Sequence, residues 1–187
     1  MAGKTLRYEH CDNVTQNELD KSRATEWQTW KDFGAGVKRQ GKELQDLLAE
    51  GHKPIPTQWI ETCHDGEYKS RLVACGQYED RTDIRSDAPT CSLEVFNIIV
   101  SFAASNRLKL KSADLRNAYF QGEKMDRLLL LRPPRSGLPD EDGDFMLAAN
   151  VPIYGTGDAG RKFYKGFRAQ AIAMGLRERR FARSCYT

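Results

Sequence analysis

Residues 108–122 read LKLKSADLRNAYFQG. Leu108 and Leu110 alternate with Lys109 and Lys111, the period-two pattern of a strand with one apolar face. The alternation stops at Ala113-Asp114, which predicts a strand carrying a carboxylate at its end, with Tyr119-Phe120 following shortly after. A carboxylate on a rigid strand end suits Mg²⁺, a hard cation that takes oxygen ligands and keeps several waters. An Asp in that place equally suits a cap or a loop, and Tyr119-Phe120 equally suits core packing.

Beyond this stretch, Leu128 to Leu131 predicts a strand stopped by Pro133-Pro134, and Phe145 to Ile153 another. A helix is predicted from Ala159 to Met174, ended by Gly175, with Phe163, Phe167, Ala171 and Met174 on one apolar face. On the other side, Ser92 caps a predicted helix to Asn106, with Glu94 in its first turn. Its sequence SLEVFNIIVSFAAS is apolar nearly all round, so burial is expected. Residues 77–89 are charged and predict an exposed loop.

Upstream, Thr57 to Cys63 and Tyr68 to Cys75 predict two strands joined through Asp65-Gly66, a hairpin turn signal. KELQDLLAEG predicts a helix with Leu44, Leu47 and Leu48 on one stripe. Trp27, Trp30 and Phe33 fit one face of a short helix. Residues 1–21 are polar and aperiodic and predict a loose extension, leaving 22–187 as one domain. Helices and strands mixed in this order predict an α+β layer fold.

The chain has 187 residues, 40% of them hydrophobic, with eight Phe, seven Tyr and three Trp, enough for one core. Five scattered cysteines suit reduced thiols rather than a disulfide framework. No apolar run reaches a membrane span, and the N-terminus lacks a signal-peptide core. An intracellular protein, cytoplasmic or nuclear, is the expectation.

Lys69 and Arg71 lie two apart on a predicted strand, so both cations face one side. There they suit a triphosphate, or they simply keep an edge strand soluble. Residues 161–183 hold eight basic residues against Glu178 alone. Such a segment either neutralises phosphates or forms a solvated helix face. The run Pro152 to Arg161 is glycine-rich but lacks the Lys-Ser/Thr of a P-loop, and Asp158 suits a helix N-cap. Cys63-His64 lacks zinc-site spacing, and DEDGD at 140–144 lacks the closing Glu of a calcium loop.

Several segments, in order, resemble the reverse transcriptase domain of copia-type retrotransposon polyproteins. They are Glu26-Trp27, Gln58-Trp59-Ile60, Tyr68 to Val73, Ala88-Pro89, Asp114 to Gly122, Arg132-Pro133-Pro134, Tyr154-Gly155 with Arg161, and Gly175-Leu176. The resemblance covers about residues 22–187, and variants such as PIPTQWIE and KSRLVACG look most like dinoflagellate copia-like elements. It implies fingers and a partial palm, RNA-directed DNA synthesis with Mg²⁺, and RNA/DNA template-primer and dNTP as partners. By position, Asp114 would be the catalytic metal ligand. Lys69 and Arg71 would be fingers cations near the triphosphate, and Tyr119, with Phe120 beside it, would lie under the sugar as a gate against a 2′-hydroxyl. Arg161, Lys162, Lys165 and Arg168 would meet nucleic acid.

The chain departs from the family at Cys75, where the family has Arg, and at Thr156-Gly157-Asp158, where it has Leu-Lys-Gln. The family's paired Asp-Asp hairpin is not among these 187 residues. The expectation is therefore a fragment truncated before that hairpin and catalytically inactive as a standalone chain, since two metal ions need more than one carboxylate. The alternatives are a nucleic-acid-binding or protein-interaction module without enzymatic activity, or a piece that does not fold alone.

Overall fold

A computed structural model describes residues 4–180 and 182–187. The elements run β1 (Lys4–Leu6), α1 (Asn13–Asp32), β2 (Gly36–Arg39), α2 (Gly41–Ala49), β3 (Ile55–His64), β4 (Glu67–Ala74), α3 (Leu93–Ser105), β5 (Leu130–Arg132), β6 (Met146–Ala149), α4 (Ala159–Ala173), β7 (Glu178–Arg179) and β8 (Ala182–Tyr186). The mixed α+β class is as predicted.

A six-stranded sheet carries the fold, in the order β1-β3-β5-β6-β2 with β4 also on β3. β3 and β4 form the predicted hairpin, in register from Thr57↔Ala74 to His64↔Glu67. Asp65 and Gly66 turn it with φ of 50° and 83°, a left-handed pair matched to the twist of the strands. β3 outlasts its hairpin partner: Ile55 and Pro56 pair in parallel with Leu131 and Arg132, and β6 continues the sheet to β2. Trp27, Trp30, Leu72, Leu131, Leu147 and Ile153 lead the core between α1 and the sheet.

Residues 4–21 are not loose. β1 pairs antiparallel with β3, and Asp12 caps α1 by accepting from Thr15 N at 2.8 Å. The Tyr8 hydroxyl reaches Asp20 at 2.9 Å, and its ring lies 4.1 Å under the Arg23 guanidinium. Arg23 in turn donates to buried Glu61 at 2.7 Å. These anchors are polar and aromatic, so hydrophobic periodicity does not report them. The short helix predicted around Trp27 is accordingly the last third of a 20-residue helix.

Two further expectations fail. Residues 108–115 form no strand, because none of the described strands lies beside them to complete its hydrogen bonds. α3 forms where predicted, with Ser92 accepting from Val95 N, but it is not buried: Ala103 alone is covered, while Leu93, Ile98 and Phe102 are 70%, 67% and 62% exposed. Among the described residues no second layer packs on it.

Candidate nucleotide cleft

β4 ends where the chain must turn sharply against residues 152–157. Ala74 N donates to Tyr154 O at 2.8 Å. A Cβ on Gly155 would stand 2.0 Å from Ala74 O, and Gly155 has φ of 96°. Gly155 therefore serves backbone docking onto β4.

Asp158 occupies the N-cap position of α4, as expected, but its side chain makes no capping hydrogen bond. Arg127 takes its carboxylate with Nε at 3.3 Å and Nη2 at 3.2 Å, and also pairs with buried Glu79. Glu79 accepts from Gly157 N at 2.7 Å, so part of the loop expected to be exposed is an internal anchor. A buried carboxylate without such partners would cost several kcal/mol.

A cleft of about 1000 Å³ opens between β4, the 114–119 segment and α4. Lys69, Arg71, Asp114 and Tyr119 all line it. Four candidates spread over 51 positions thus share one space. Neither Lys69 nor Arg71 forms an ion pair with any carboxylate among the described residues. The Arg71 guanidinium sits 4.8 Å over the Tyr154 ring, and that ring lies 4.7 Å from Tyr119. Glu26 on α1 feels both cations: burial pushes its carboxyl up, against Leu72 N–H at 3.4 Å and the charges of Arg71 and Lys69.

Phe120 is not in the cleft. Its ring is 3% exposed and packs edge-on to Trp30 at 5.5 Å and against Phe33 at 5.6 Å. Within the pair Tyr119-Phe120, neighbouring side chains point apart, one to the cleft and one to the core. Phe163 and Phe167, placed by their spacing on one helix face, line the cleft, and Phe167 is 42% exposed. Tyr154 and these rings are the cleft residues that sequence reasoning missed; helical spacing marked a face without saying what it faces.

The basic residues of α4 are engaged internally. Arg161 pairs with Asp87 at 2.6 Å, Lys162 with Asp126 at 2.9 Å, Lys165 with Glu123 at 3.4 Å and Arg168 with Glu178 at 2.6 Å. Lys162 is 6% exposed at its side chain. Three of these four cations are thus answered by acids distant in sequence. Glu178 accepts from Ser184 N at 3.0 Å, Tyr164 Oη at 2.7 Å and Arg168 Nε. Those donors hold its carboxyl down at about 2, the backbone N–H of Ser184 first among them. The contact fastens β7 and β8 to α4, and Ser184 Oγ closes the cleft rim by donating to Pro89 O at 2.7 Å.

A divalent ion does not fit the donors present. Asp114 is exposed on irregular backbone, and no three His, Cys, Asp or Glu side chains converge among the described residues. One carboxylate cannot make the site that Mg²⁺ chemistry on phosphates requires. Among the described residues no helix is long and apolar enough to cross a membrane.

Residues 44–186 match the family model described as reverse transcriptase (RNA-dependent DNA polymerase). The chain is 29% identical over 190 aligned residues to the "Retrovirus-related Pol polyprotein from transposon RE2" of Arabidopsis thaliana, covering 91% of this chain and 13% of that protein. It is 26% identical over 129 residues to the "Retrovirus-related Pol polyprotein from transposon TNT 1-94" of Nicotiana tabacum, covering 64% of this chain and 10% of that one. The chain therefore spans about an eighth or less of the length of these relatives. No solved structure matches it.

Proposed function

We propose a function from one premise: the chain belongs to the reverse transcriptase (RNA-dependent DNA polymerase) family. It carries part of the reverse transcriptase domain of a copia-type retrotransposon Pol polyprotein. Residues 22–187 are read as fingers and the first part of a palm, and the cleft as the seat of an incoming dNTP. Lys69 and Arg71 hold its triphosphate, Arg71 through the fork geometry that suits phosphate oxygens. Tyr119 lies beneath the sugar, where its ring favours a deoxyribose over a ribose. Asp114 faces the same space as the carboxylate that a complete polymerase would use for Mg²⁺.

The observation that carries this reading is the convergence of Lys69, Arg71, Asp114 and Tyr119 on one cleft, with both cations free of carboxylate partners. Of the α4 cations, Lys165 and Arg168 keep their side chains 43% and 48% exposed, so a template phosphate reaches them by displacing Glu123 and Glu178; Lys162 is covered. Nucleotide binding and catalysis separate in this polypeptide. With Asp114 alone, the 187-residue chain binds dNTP and extends no primer. A primer-extension assay with Mg²⁺ tests the second half. Extension that disappears in Asp114→Ala would show that the chain does hold a working metal site.

A further inference from the structure

We propose that Tyr154 is a positioning residue that aims Arg71 into the cleft and ties it to Tyr119. This rests on the dNTP reading of the cleft. An arginine held by a carboxylate has its charge neutralised and its N–H donors spent. One held on an aromatic face is oriented by the ring while its charge and its N–H edge stay available to a ligand. Arg71 is of the second kind: its guanidinium lies 4.8 Å over the Tyr154 ring and it forms no ion pair among the described residues.

Tyr154 is itself fixed on three sides. Its carbonyl accepts from Ala74 N at 2.8 Å, and the next residue, Gly155, leaves no room for a Cβ against Ala74 O. Its ring packs 4.7 Å from Tyr119 and 5.8 Å, edge-on, from buried Phe120. Burial pushes its phenol up, against the pull of the neighbouring Arg71 charge. One ring therefore sets both the direction of the phosphate-binding cation and the backing of the sugar-facing tyrosine.

The test measures binding of dTTP and of inorganic tripolyphosphate to the full chain by calorimetry, with the Arg71 side-chain N–H resonances followed by NMR. Tripolyphosphate reports the cations alone; dTTP adds the sugar contact. Y154F keeps the ring and is expected to bind both probes as the unsubstituted chain does, with the ring-current shift of Arg71 retained. Y154L keeps apolar bulk, loses that shift, and is expected to weaken both probes about 5-fold, within the range of a cation–π contact. In an R71A background Y154L should have no further effect on tripolyphosphate, which a merely structural role would not produce.

Equal weakening in both backgrounds, or loss in Y154F as large as in Y154L, overturns the proposal. So does an Arg71 resonance without a ring-current shift in the unsubstituted chain. Should Y154L fail to melt cooperatively, Arg71→Lys decides: charge without a planar face must weaken tripolyphosphate severalfold, and unchanged affinity sinks the idea. A chain that shows the ring-current shift but binds neither probe overturns the dNTP reading while the placement of Arg71 by Tyr154 stands.

Discussion

Helices α1 and α3 meet opposite fates. α1 is mostly polar, yet it buries Leu19, Trp27 and Trp30 against β4 and the core. α3 is the most apolar helix of the chain and covers only Ala103. Apolar content states how much surface a helix would gain by hiding. It does not supply the layer that hides it. α1 has a sheet face and three polar ties, while α3 has neither among the described residues.

The largest test of that contrast is truncation on both helices. Trp30→Ala removes a ring that is 1% exposed and is expected to cost about 3–5 kcal/mol in denaturant unfolding of the full chain. Phe102→Ala is expected to stay within about 0.5 kcal/mol, as for other surface changes. A comparable cost at both positions would mean that α3 is covered in solution.

Next is the polar side of α1. Arg23→Ala leaves Glu61, 4% exposed, without its partner, and is expected to cost about 3 kcal/mol. Arg23 is invisible to any hydrophobic count, so a negligible cost would return residues 4–21 to the status of a loose extension.

A smaller effect separates two acids by pH. Glu178 is held down at about 2, so the stability it contributes is present above 4.5 and is lost as pH falls from there toward 2. Hydrogen exchange in residues 178–187 should speed up in that window, and Glu178→Gln should remove the dependence. Glu26 runs the other way. Burial raises it, so its charged form is disfavoured in the folded chain and protonation on acidification relieves that cost. Glu26→Gln is therefore neutral or mildly stabilising at pH 7, and a strong loss there would show that its charge is needed beside Arg71. Least of all, Ile98→Lys on α3 should leave the melting midpoint unchanged while lowering the binding of an apolar dye.

Much of the local structure was readable in advance. Asp65-Gly66 placed the hairpin because its conformation is decided by two residues. α2 and α4 ended at Gly51 and Gly175 for the same reason. The cleft was half legible. Lys69 and Arg71 share a strand face by period-two geometry, and Tyr119 and Asp114 stood out by motif. Tyr154 did not, because nothing local says that its ring will lie under a cation from β4. Phe120 was assigned to the cleft because its neighbour belongs there, although adjacent side chains on this turn diverge. The cations of α4 read as an open basic face because Asp87, Glu123 and Asp126, which answer three of them, lie 36–74 positions away.

By itself, the sequence determined the family, the α+β class, the hairpin, the helix ends and the residue types available for phosphate contact. These follow from a few adjacent residues or from a linear order of motifs. Only the tertiary structure decided which charges are spent on internal partners, that the polar N-terminal residues are anchored, and that the most apolar helix lies open. The physical reason is that burial and charge pairing belong to two groups at once, and the second group is generally dozens of residues away.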